Sequence, residues 1–176
     1  MFAMGLGVAA MIRVGNQKGK KDYEALKRIA YSIFLLMFIF DVLFCIFFLL
    51  TNNFLPWIYL DGSNPLQIVD VTEVVKLAST LLIVSAFFQI SDGIQAVVLG
   101  ALRGLQDVNV PAFITFFTYG VFGLPISYYL GLHTSLGVTG IWIGLLSGLT
   151  ASAILLLIRF NYMTRKLILN NAHGTT

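Results

Sequence analysis

Residues 29–50 read IAYSIFLLMFIFDVLFCIFFLL. Twenty-one of these twenty-two side chains carry no formal charge, Asp41 being the exception. A bilayer's hydrocarbon core is crossed by about 20 apolar residues in an α-helix, so length alone predicts a membrane span here. A barrel strand would alternate polar and apolar residues, and this run does not. A helix also satisfies its own backbone N–H and C=O groups, which lipid cannot.

Similar runs recur on the C-terminal side, at about residues 77–102, 110–130 and 137–158, and the last two hold no formal charge. At the N-terminus, MFAMGLGVAAMI (residues 1–12) is apolar but short. At 1.5 Å per residue it reaches about 18 Å, so it reads as the end of a helix. No basic segment or cleavage site marks it as a signal peptide. The composition agrees with a polytopic all-α transmembrane helix bundle: 58% hydrophobic, 11% charged, mean hydropathy +0.88. The single cysteine, Cys45, excludes an intrachain disulfide. Neither a metal-ligand cluster nor a nucleophile–base set is visible, so the chain does not read as an enzyme.

The basic residues set an orientation. Ten of the eleven Lys and Arg fall in three regions: the link at residues 13–28, Arg103, and the tail with Arg159, Arg165 and Lys166. Those regions share one side if the four spans alternate; the other side has Lys76 alone. The positive-inside rule then places the C-terminus in the cytoplasm. A net charge of +3 is therefore read as membrane topology, not as a nucleic-acid surface.

Within the spans, Gly140, Gly144, Gly148 and Ser152 recur every fourth residue, predicting a small-residue ridge for close helix packing. Pro125 predicts a kink in the third span. Residues 13–28 read as a turn with a short amphipathic helix, and Asp107 or Asn109 as a cap of the helix that follows.

Two carboxylates lie at membrane depth, where a charged side chain costs about 2.5–3.5 kcal/mol at a helix centre and marks function by default. Asp41 is flanked by Phe38, Phe40, Phe44 and Cys45, without a polar residue within a turn. It carries the weaker functional expectation. Asp92 has company: Ser85, Gln89, Asp92 and Gln95 follow at spacings of four, three and three, on one helix face. That stripe must face protein or water. It is either a hydrogen-bonded knot between helices or a site where a cavity carboxylate exchanges H⁺ or Na⁺.

Residues 89–111, QISDGIQAVVLGALRGLQDVNVP, resemble the multidrug and toxic compound extrusion (MATE) transporters. The resemblance rests on Asp92-Gly93-x-Gln95, on Gly100-Ala101-Leu102-Arg103-Gly104, and on Asp107 and Pro111. It extends to LPISYYLGL and GVTGIWIGLLSGL, and upstream to AAMIRVGNQKG. It implies a twelve-helix transporter of two six-helix lobes, of which residues 1–166 are the end of helix 8 and helices 9–12. Residues 167–176 are then a cytoplasmic tail. It further implies efflux of cationic or amphipathic drugs by Na⁺ or H⁺ antiport in the plasma (inner) membrane, without a cofactor.

Asp92 matches the cation-coupling position on helix 10 of the NorM-like branch, with Ser85, Phe88, Gln89 and Gln95 as cavity-lining candidates. Na⁺ at Asp92 is the one metal this resemblance allows. Where that branch often has a tyrosine, Phe88 lacks the hydroxyl, which favours H⁺. The partners expected are the lipid bilayer, the substrate and an N-terminal lobe, without which the chain is expected to be inactive. A non-transporting structural membrane protein, or a flippase of the same superfamily, is the alternative.

Overall fold

The computed structural model describes residues 2–52, 54–59 and 68–173. Among them every regular element is a helix. In chain order these are α1 (Phe2–Gly19), α2 (Tyr23–Thr51), α3 (Leu55–Tyr59), α4 (Ile68–Gly104), α5 (Asn109–Phe117), a π-helical segment (Thr118–Gly123), α6 (Leu124–Leu132) and α7 (Gly137–His173). α5, the π segment and α6 run on as one span, so four helices are long and apolar enough to cross a membrane.

The helices outrun the apolar stretches that announce them. α1 continues through the basic residues to Gly19, where the sequence suggested a turn and a separate short helix. The turn is confined to residues 20–22, with Lys21 at φ 59°. Asp22 then caps α2, its Oδ1 accepting from the N–H of Ala25 at 3.0 Å. Such a cap satisfies a helix-start N–H that has no partner within the helix. α4 begins at Ile68, well before the apolar run, and α7 carries on through most of the expected tail to His173. Of the connection between α2 and α4, residues 53 and 60–67 lie outside the described residues.

α4 is the centre of the packing and touches α1, α2, α3 and α7. The main core lies towards the end that holds most of the basic residues. There Val14 of α1, Leu26 and Met37 of α2, Leu102 of α4, and Leu156 and Phe160 of α7 are buried. Phe160 meets Phe34 edge-on with ring centroids 5.3 Å apart. The opposite face of α2, with Leu35, Phe38, Leu43 and Phe47, is exposed.

Small residues set the two closest helix approaches. Gly144 of α7 sits against Ser127 of α6, whose hydroxyl donates to the Ile141 carbonyl at 3.0 Å. The expected ridge on α7 therefore faces α6 and the π segment. A second approach, between Gly7 of α1 and Gly100 of α4, was not anticipated. A Cβ on Gly100 would overlap the Gly7 carbonyl oxygen and lie 2.7 Å from its carbon. In lipid, where tails are as apolar as leucine, such contact is the main source of helix association.

Pro125 shows its effect one turn upstream. Lacking an N–H, it cannot continue the i→i−4 ladder, and the span opens into π-helix from Thr118 to Gly123. There the Leu124 N–H reaches back five residues to the Tyr119 carbonyl. π segments inside α-helices frequently accompany functional sites.

Candidate functional site

The candidate residues of α4 face three ways. Ser85 lines an apolar recess of about 500 Å³ formed with Phe48 of α2, Leu55 and Pro56. Phe88 meets Trp142 of α7, ring centroids 5.8 Å apart. Gln89 is half-buried. Asp92 is exposed, on the face of α4 that its neighbours leave open. Gln95 is 8% exposed, and its Oε1 accepts from the Tyr119 hydroxyl at 3.4 Å.

The stripe read as one face is therefore divided: Ser85 lines the apolar recess and Gln95 is turned onto the π segment, while Asp92 is left open. Two more polar contacts flank it. Ser91 and Thr150 of α7 pair through their hydroxyls at 2.9 Å. The π segment brings Tyr119 onto Gln95. Neither Tyr119 nor Thr150 stood out in the sequence, because each lies in a span without charge and meets α4 only through tertiary packing.

Asp41 has the most unusual surroundings. It is 0% exposed, on the buried stripe of α2 that runs Leu26, Ala30, Ile33, Met37, Asp41, Cys45. Among the described residues neither carboxyl oxygen has a hydrogen-bond partner. The carboxyl group is seated on α4 at Gly93, where a Cβ would overlap Asp41 Oδ2 and lie 2.7 Å from Cγ. Asp41 thus packs against α4, one residue along from Asp92, without gaining a hydrogen bond there. The signal was present in the sequence as the i, i+3, i+4 spacing from Leu26 to Cys45, which puts Asp41 on the packed side.

At the basic end, Asp107 does not cap α5. Val108 holds that position without a side-chain hydrogen bond. The Asp107 carboxylate instead accepts from Arg159 Nε of α7 at 2.8 Å. Beside it, Lys18 of α1 donates to the Leu105 carbonyl at 2.7 Å and to Gln106 Oε1 at 3.0 Å. Among the described residues, no group of three or more His, Cys, Asp or Glu is placed to hold a metal ion.

Spans of this length and apolarity, with carboxylates set inside them, define a multi-pass helical membrane protein. The chain belongs to the MatE family, whose model matches residues 1–129. It is 39% identical over 165 residues to a probable multidrug resistance protein NorM of Rhodopseudomonas palustris, covering 94% of this chain and 34% of that protein. To the multidrug resistance protein MdtK of Photorhabdus laumondii it is 35% identical over 170 residues, covering 94% and 35%. The chain thus spans about a third of the length of these curated relatives.

Among solved structures, the eukaryotic MATE transporter AtDTX14 superposes with a TM-score of 0.78 at 22% identity, over 94% of this chain and 36% of that one. A MATE crystal structure in the bent conformation gives 0.79 at 17% identity, over 97% and 37%. At these identities the likeness establishes the fold.

Proposed function

We propose that the chain forms part of the C-terminal lobe of a multidrug antiporter that expels cationic or amphipathic compounds in exchange for H⁺ or Na⁺. Asp92 is the exchange carboxylate. The observation that carries this reading is an exposed carboxylate midway along a membrane-spanning helix, bordered by Gln95 and Tyr119. Such a group is costly in lipid and is retained where it meets water, an ion or a substrate. The curated relatives are named for multidrug resistance, which fits that use.

The proton is the coupling ion this site favours. Phe88 presents a ring to Trp142 and supplies no oxygen ligand. Transport by alternating access needs two lobes rocking about a shared cavity, so these helices work with an N-terminal lobe and do not transport alone. The excess of basic residues on one side, ten against one, supports a cytoplasmic C-terminus, and the reading sets the chain in the plasma (inner) membrane.

The test is Asp92→Asn in a two-lobed transporter carrying this sequence. Ion-coupled ethidium efflux is expected to disappear while the amount of protein in the membrane stays the same. Unchanged efflux and drug resistance at equal protein level would refute the assignment.

A further inference from the structure

We propose that Asp41 is a second, proton-binding carboxyl of the same lobe, and that Asp92 is the door through which its proton exchanges. Asp41 has no exposed surface, no hydrogen bond to either oxygen, and a seat on Gly93 beside Asp92. An ionised carboxylate with neither donor nor cation is the most costly form to bury; the acid form removes that charge. A metal ion does not fit the seat. Among the described residues no group of three or more His, Cys, Asp or Glu gathers there, and Gly93 leaves no room for an ion between the helices.

The groups around Asp41 support a single proton. On α4 the titratable neighbour is Asp92, and on α2 it is Cys45, one turn along. Residues 2–12 of α1 carry no titratable side chain, and α7 meets α2 two to three turns away, at Phe34–Phe160 and Tyr31–Asn161. Among the described residues no cation is at hand to hold Asp41 as an anion. Asp92, the residue next to the Gly93 seat, is a second carboxylate, and two neighbouring like charges favour a state in which one of them is neutral.

The Asp92-Gly93 dipeptide then has two separate uses. Asp92 presents a carboxylate to the open face, and Gly93 leaves the hollow into which Asp41 fits. Exchange is a proton transfer relayed by water, because the two carboxyls are not hydrogen-bonded to each other: the O–H bond at Asp41 breaks as one forms on water, and the Asp92 carboxylate takes the proton from that water and passes it to the open face. The reverse transfer refills Asp41. Only the physiological use of this step rests on the antiport reading; the proton site does not.

Infrared spectroscopy of the purified chain in maltoside detergent, which has no ester carbonyl, tests it at neutral pH. A protonated-carboxyl C=O band is expected in the parent and in Asp92→Asn. It should be lost in both Asp41→Asn and Asp41→Leu, the latter keeping an apolar side chain of similar size. On transfer to D₂O, the isotope shift of this band should be slower in Asp92→Asn than in the parent by about tenfold or more.

A parent without the band overturns the inference, as does a band that survives in both Asp41 variants. An equal exchange rate in Asp92→Asn overturns the role of Asp92 as door. Failure of the antiport reading would be seen separately, as efflux that Asp92→Asn leaves unchanged.

Discussion

Gln95 joins the middle of α4 to the π segment through the Tyr119 hydroxyl, and with 8% of its surface exposed it has little access to other partners. Removing one member of such a pair leaves a buried polar group unsatisfied, whereas removing both is nearly neutral. Tyr119→Phe is therefore expected to lower stability by about 1 kcal/mol, and Gln95→Leu in the same chain to restore most of it. Cys45 supplies the measurement. It is the sole cysteine and is buried, so a thiol-reactive dye reports unfolding as it becomes accessible. A double variant no more stable than Tyr119→Phe would show that the hydroxyl contributes nothing. The sequence marked Gln95 as a site residue but gave no hint of its partner, 24 positions away in an uncharged span.

Among the elements, α4 takes the closest contacts, and they depend on glycine. At Gly100 the backbones of α1 and α4 nearly touch, and a side chain there has only the Gly7 carbonyl to push against. Gly100→Val is expected to separate the helices and cost about 1–3 kcal/mol, the usual penalty for overpacking. It would appear as a lower midpoint in the same Cys45 assay. Gly120, with nothing near its missing Cβ, is the control: Gly120→Ala should leave the midpoint where it is. The ridge on α7 was legible because four small residues recur at a helical spacing. The Gly7–Gly100 contact was not, since each glycine lies in a helix whose partner only the fold chooses. The same holds for Pro125: a disturbance was foreseeable from the missing N–H, but its form, a π segment that carries Tyr119 towards Gln95, depended on neighbouring helices.

Across the whole molecule, the basic end is tied together by contacts between distant parts of the chain. Arg159 to Asp107 joins α7 to the turn after α4, and Lys18 joins α1 to the same turn. Asp107 is 9% exposed, so its pairing is shielded in part from water and salt. Asp107→Ala is expected to cost about 2 kcal/mol, the scale of a hydrogen bond to a charged group. Its effect should persist when the thermal midpoint is measured in high salt. A midpoint equal to the parent's would mean that the ion pair adds nothing.

The amino-acid sequence determined the number and course of the spans by itself, because lipid imposes its length and apolarity requirement on each segment separately. The polar ends of α1, α4 and α7 escaped that reading because helix outside the bilayer leaves no hydropathy signal. Tertiary structure alone decided which carboxyl is sealed and which stays open. That outcome depends on how α2 and α4 register against each other, bringing Asp41 onto Gly93 while leaving Asp92 uncovered. The depth of a side chain in lipid is set by its own helix; its burial in protein is set by the neighbour.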